Sequence, residues 1–158
     1  MGVCSMRQRG LTLVELMTVV AVLAIFASVA APGLSGFLAG QRVKALTYDL
    51  TADLLLARNE ALKRGLDVTL TPGGAGWKEG WSMSVGGLEL SARSGASASV
   101  AVAGAPSAIV FDRNGRVASP TSAVRITVST SALSDSSAAR CVQLDLSGRA
   151  RSQTGACV

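Results

Sequence analysis

A chain of 158 residues with a formal charge of +5 and no histidine has the length of one domain with additions, and its composition closes several routes. Without histidine there is no Ser-His-Asp or Cys-His catalysis, and the commonest zinc ligand is missing. The acids are scattered, no loop has the acidic density that calcium needs, and no nucleophile–base pair is visible. The sequence therefore reads as a non-enzyme without metal or cofactor.

In chain order, Arg7, Arg9 and Gly10 precede Leu11 to Ala31, an apolar run of 21 residues with one formal charge, Glu15. At about 1.5 Å per residue this run is roughly 30 Å long, the thickness of a bilayer core. It is too long for the apolar core of a secretory signal peptide, and it ends Val29-Ala30-Ala31-Pro32-Gly33 with no A-x-A cleavage site. The segment is expected to stay attached as an anchor, with the basic flank cytoplasmic and the C-terminal body outside. Glu15 is the anomaly, since a carboxylate costs about 2.5 kcal/mol or more at the bilayer centre and less near a helix end. It is either a tolerated interfacial charge or a carboxylate whose positive partner comes from another subunit.

Pro32, Gly33, Gly36 and Gly40 weaken the helix locally. Beyond them Val43, Leu46, Leu50, Leu54, Ala57 and Ala61 recur at helical spacing and predict one apolar face packed on the domain's own sheet. Glu60 and Arg64 form an i, i+4 pair, and Gly65 is the expected C-cap. The texture then turns to β. Strands are predicted over Asp67–Thr71, Trp81–Val85, more weakly Ala98–Val102, then Ala108–Phe111, Val124–Val128 and Cys141–Leu146. Turns are predicted at 72–76, Gly86-Gly87, Asn114-Gly115 and Gly148. Ser91–Ser99 and Ser129–Ala139 read as Ser-rich connections, and no internal repeat is evident. Trp77 and Trp81 are expected to pack the sheet.

Cys4 lies in the basic leader, which leaves Cys141 and Cys157 as a pair suited to an oxidising compartment. Joined, they close a short loop worth about 3 kcal/mol. Removing Arg7 and Arg9 lowers the charge from +5 to +3. From position 113 onward six arginines (Arg113, Arg116, Arg125, Arg140, Arg149, Arg151) face two acids (Asp135, Asp145), a surplus of +4. Such a surplus is either a solvated face or a surface for polyanions.

Arg9-Gly10-Leu11-Thr12-Leu13-Val14-Glu15-Leu16-Met17 resembles the class III signal of type IV pilins and pseudopilins. The resemblance implies cleavage between Gly10 and Leu11 by a prepilin peptidase and methylation of the new N-terminal amine. It also implies pairing of Glu15 with the N-terminus of a neighbouring subunit. Leu11 departs from the usual phenylalanine, while Pro32 matches the helix-kinking proline of many members. Three internal segments resemble the FimT/GspH group: Leu56–Gly65 with Val68-Thr69-Leu70, Trp77–Trp81, and Ile109-Val110-Phe111 with Gly115. The implied fold is α+β, a long N-terminal helix packed on a small, mostly antiparallel β domain of the pilin type. The implied organisation is a cleaved leader (1–10), a transmembrane helix (11–31), its amphipathic continuation (32–65) and a globular β domain with a C-terminal disulfide (66–158). The body would lie in the periplasm of a bacterial inner membrane, then in a filament with other pilins or pseudopilins.

Gly148-Arg149-Ala150-Arg151 resembles the GRxR motif of DNA-binding FimT proteins. Alternate residues of a strand share a face, so Arg149 and Arg151 can present two guanidinium forks to phosphate oxygens. The resemblance implies binding of DNA in natural transformation. Two guanidinium groups alone would bind duplex DNA weakly and without reading its sequence, and Arg113, Arg116, Arg125 and Arg140 are further candidates that the sequence does not place. The alternative is a purely structural subunit: a GspH-like pseudopilin of a type II secretion system, or a pilus-priming pilin.

Overall fold

The computed structural model describes residues 12–95, 99–131 and 138–158, with side chains described outside 29–33. Among the described residues helix α1, Leu13–Arg64, is followed by nine strands, with a short 3-10 helix, Trp77–Glu79, between the first two. The chain forms two compact units, Met1–Ser35 and Gly36–Val158.

In the first unit the helix opens on Thr12, whose hydroxyl accepts the Glu15 backbone N–H at 3.2 Å, a side-chain cap on an otherwise unpaired donor. Leu13, Val14, Leu16, Met17, Leu23 and Phe26 are all exposed, as are their neighbours around the helix. A helix apolar on every side is built for surroundings other than water. Among the described residues no helix is long and apolar enough to cross a membrane; the expected 11–31 span reaches past the described side chains at both ends. Gly10 and Leu11 lie outside the described residues, as do Cys4 and Asp135. The weakening expected at Pro32 to Gly40 does not interrupt the helix, whose backbone is helical throughout.

In the second unit Val43, Leu46, Leu50, Leu54, Ala57 and Ala61 are all buried, so the periodic stripe is the helix face that covers the sheets. Glu60 pairs with Arg64 at 2.6 Å, and the Gly65 N–H closes the last turn on Ala61 O at 2.9 Å. One antiparallel sheet contains β1 (Val68–Pro72), β2 (Gly80–Val85), β3 (Leu88–Ser94), β5 (Ile109–Phe111) and β6 (Val117–Ser119), in the order β3-β2-β1-β5-β6. The other contains β4 (Val100–Ala103), β7 (Val124–Thr130), β8 (Arg140–Leu144) and β9 (Ala150–Thr154), in the order β4-β7-β8-β9. Register places Val68 opposite Val85 on one side and Phe111 on the other; these three, with Leu70, Met83, Ile109, Ile126, Val142 and Leu144, join the helix stripe in one core.

β3 and β6 correct the sequence reading. β3 occupies the first half of the expected Ser-rich connection: it is an edge strand with mostly exposed residues and a bulge opposite Met83/Ser84, so pairing rather than burial defines it and no alternation marks it. β6 has three residues, too few to show a period. The connection expected from Ser129 begins later, because β7 runs on to Thr130.

One polar group fastens the helix to the edge of the first sheet. The buried Asp53 carboxylate accepts Trp81 Nε1 at 2.8 Å and Arg93 Nε and Nη2 at 2.6 and 3.1 Å. Arg93 also reaches Asp49 at 3.4 Å. Trp77 and Trp81 are buried, tilted against each other at 6.1 Å, and Trp77 Nε1 donates to Pro106 O at 2.5 Å. Both indoles therefore pack the domain.

Leu54 is fully buried in the stripe, so Leu54→Ala should cost about 2–5 kcal/mol. Chemical denaturation followed by the fluorescence of the two buried tryptophans measures this. A loss under 1 kcal/mol would mean that the stripe is not the core face.

Candidate nucleic-acid interface

The GRxR segment is the second half of a hairpin. β8 ends at Leu144, opposite Ala150, and Gln143 lies opposite Arg151. Leu144 is buried and Ala150 packs on the core, so strand alternation turns Arg149 and Arg151 to the outer side, where both are exposed.

The turn between them is held by one acid. Asp145 Oδ1 accepts the N–H of Ser147 at 2.9 Å and of Arg149 at 3.2 Å, and the Ser147 hydroxyl as well. The Asp145 N–H donates to Arg149 O at 3.2 Å and the Gly148 N–H to Asp145 O at 2.9 Å. The Ser147 hydroxyl bond is the largest influence on the Asp145 carboxyl; against desolvation, it and the two backbone donors, with the Arg151 charge, hold the carboxyl below its ordinary value of 3.8.

Gly148 is obligatory for two reasons. Its φ is +79°, a region that costs a side chain about 1–3 kcal/mol. A β carbon there would also overlap the carbonyl oxygen of Gly115 and stand 3.2 Å from Arg58 Nε. Gly115 is the glycine of the β5–β6 turn, so the two hairpin turns meet glycine against glycine. The Val117 N–H donates to Leu146 O at 3.1 Å beside this contact. Beneath it lies the helix: a β carbon on Gly115 would meet Leu62 Cγ at 3.0 Å and Arg58 Cγ at 3.2 Å.

The other candidates fall in different places. Arg125, Gln143 and Arg151 form a row across β7, β8 and β9 and line a shallow cleft of about 180 Å³ with Asp145 at its edge. Arg125 is already engaged, donating from Nη1 to Val158 O. Arg113 and Arg116 sit exposed on the turn that abuts Gly148. Arg140 opens β8 at the opposite end, across from Thr154, so the fold does not bring it to the turn. Cys141 is bridged to Cys157, and the Cys157 N–H donates to Thr127 Oγ1 at 3.1 Å. The bridge folds the chain after β9 back over the second sheet and braces the strand that carries Arg151. Among the described residues no group of three or more acids or cysteines gathers to hold a metal ion.

Sequence reading gave Gly115 as a turn residue without its contact with Gly148, and gave Asp145 and Arg58 no structural role. A signal was present for the first two: Asp112-Arg113-Asn114-Gly115-Arg116 and Asp145-Leu146-Ser147-Gly148-Arg149 share D-x-x-G-R. This is a short internal repeat where none was read.

Two expectations follow from the turn. Gly148→Ala should lower stability by several kcal/mol, while Gly86→Ala, equally left-handed at φ +55° but facing open space, should lose only about 1–3 kcal/mol. Equal losses in thermal unfolding would show that the glycine–glycine contact is unimportant. Because folding depresses the Asp145 pKa, its contribution is present above 3.8 and is lost as the pH falls through the folded value. The Ser147 and Arg149 amides should therefore lose hydrogen-exchange protection on acidification below 3.8; unchanged protection there would remove Asp145 as the turn's clasp.

The comparisons with known proteins agree with this architecture. The sequence matches the family described as type II transport protein GspH over residues 47–148, more than half of the chain. Residues 5–31 match the prokaryotic N-terminal methylation motif. Among curated proteins no significant match is found. Two crystal forms of the type IV minor pilin FimU of Pseudomonas aeruginosa are similar in structure. One is 19% identical, with a TM-score of 0.58 over 70% of this chain and 91% of that one. The other is 20% identical, with a TM-score of 0.59 over 72% and 88%. At such identity the likeness speaks for the fold, and the family match carries the assignment: the chain belongs to the GspH family of type IV pilin-like proteins.

Proposed function

We propose that the protein is a minor pilin of a type IV pilus that captures double-stranded DNA through Arg149 and Arg151 for uptake in natural transformation. The observation that carries this reading is the hairpin. Two exposed arginines flank an inward alanine, and Asp145 accepts the backbone N–H donors of its own turn. Gly148, buried against Gly115, fixes the turn in place, and the Cys141–Cys157 bridge ties the chain after β9 to β8. The two guanidinium groups would bind phosphate oxygens without reading sequence.

The N-terminal half serves assembly in this reading. A prepilin peptidase cuts between Gly10 and Leu11, 11–31 spans the inner membrane once, and 66–158 lies in the periplasm before entering the pilus. Glu15 pairs with the N-terminus of a neighbouring pilin. In support, Glu15 is exposed on an all-round apolar helix and has no ion-pair partner among the described residues. A second reading, a structural pseudopilin of a type II secretion system without DNA binding, is favoured by the description of the matching family.

The two separate in a gel-shift titration of the full chain in detergent with duplex DNA. Arg149→Ala with Arg151→Ala should weaken binding and flatten the salt slope by up to about two units. Absence of binding by the wild-type chain at low salt would leave the structural pseudopilin.

A further inference from the structure

We infer that the β5–β6 turn is the second half of the same polyanion-binding surface, with Arg116 as the counterpart of Arg149. This rests on the proposed DNA-binding role of Arg149 and Arg151.

The two turns share four backbone N–H bonds, and only the Ser147 hydroxyl bond to Asp145 lacks a counterpart. Asp112 Oδ1 accepts the N–H of Asn114 at 2.8 Å and of Arg116 at 2.9 Å, as Asp145 Oδ1 accepts those of Ser147 and Arg149. The Asp112 N–H donates to Arg116 O and the Gly115 N–H to Asp112 O, each at 2.8 Å, repeating the pattern of Asp145, Arg149 and Gly148. Both glycines are left-handed, at +70° and +79°. Phe111 faces Val117 across one hairpin as Leu144 faces Ala150 across the other. Arg116 therefore occupies in the first turn the place that Arg149 occupies in the second.

The fold then sets the twins side by side. Gly115 and Gly148 touch, and each is followed at once by its arginine. By chain geometry the Cα atoms of Arg116 and Arg149 are no more than about 14 Å apart, comparable with the ~12 Å width of the DNA major groove. Two separate cationic side chains within reach of one another can engage more than one phosphate of an extended polyanion. Among the described residues neither Asp112 nor Asp145 forms an ion pair with Arg116 or Arg149; each carboxylate accepts its own turn's N–H groups. Arg58 adds a third positive charge beneath the junction, its Nε buried and without a hydrogen-bond partner among the described residues.

The equivalence also picks out which arginine of the first turn matters. Arg113 corresponds to Leu146, not to Arg149. It lines a depression of about 630 Å³ together with Asp67 and Asp112. Arg113→Ala thus removes the same charge in the wrong place and is the internal control.

The test is fluorescence anisotropy of a labelled duplex with the full chain in detergent, at several salt concentrations. Arg116→Ala should weaken binding about as much as Arg149→Ala and reduce the salt slope by about one unit. Arg116→Lys should retain most of the slope, and Arg113→Ala should change both quantities less. Tryptophan fluorescence checks that each variant is folded. If Arg149→Ala with Arg151→Ala loses binding while Arg116→Ala keeps wild-type affinity and slope, the inference is overturned and the proposed function survives. If Arg113→Ala and Arg116→Ala weaken binding equally, only net charge is at work and the inference is again overturned. If none of these variants changes binding, both readings fall.

Discussion

The contact between Gly115 and Gly148 is the constraint on which this end of the molecule depends. The two sheets are separate hydrogen-bonded ladders, and core side chains alone would leave their hairpin ends free to slide. The missing β carbon of Gly148 lets it close on the carbonyl of Gly115. The Val117–Leu146 bond then crosses from one ladder to the other, and Leu62 and Arg58 of the helix support the junction from below. Side-chain absence, not side-chain packing, sets the distance between the two turns.

The same helix reaches both sheets by different means. Its apolar stripe supplies nondirectional burial, which fixes depth but leaves rotation and sliding cheap. Asp53 supplies direction. Its two oxygens take three donors from Trp81 and Arg93, and a buried carboxylate that loses such donors pays the desolvation of its charge. That bidentate geometry ties the helix face to β2 and β3, while the glycine junction holds the far end of the sheets.

These two kinds of contact differ in how legible they are in the sequence. The stripe from Val43 to Ala61 was readable because burial imposes a period, and so were the buried strands around Leu70, Ile126 and Val142. β3 was not, because an edge strand is defined by pairing with β2 and its side chains remain mostly exposed. Asp53 was one of several acids on the helix, and nothing local marks it as the partner of an arginine 40 residues on. In the candidate site, Gly148, Arg149 and Arg151 were legible through motif and alternation, and Cys141 and Cys157 through elimination of Cys4. The D-x-x-G-R repeat was overlooked because each copy is explained locally as turn chemistry. Only the contact between the two glycines makes the copies one feature.

The turns also bear on how a chain of modest charge would present arginines to a polyanion in the proposed role. A carboxylate beside an arginine ordinarily pairs with it and removes its attraction for phosphate. Here Asp112 and Asp145 accept backbone N–H groups from their own turns and form no ion pair with Arg116 or Arg149 among the described residues, which stiffens the loop that carries the arginine. The acid thus acts as a scaffold for the cation it would otherwise neutralise. An arginine on such a turn is positioned by the backbone on both sides, so binding a phosphate immobilises its side chain alone, and less ordering entropy opposes the contact. On the proposed DNA-binding role, placing two such turns against one another would extend that advantage from one phosphate to several.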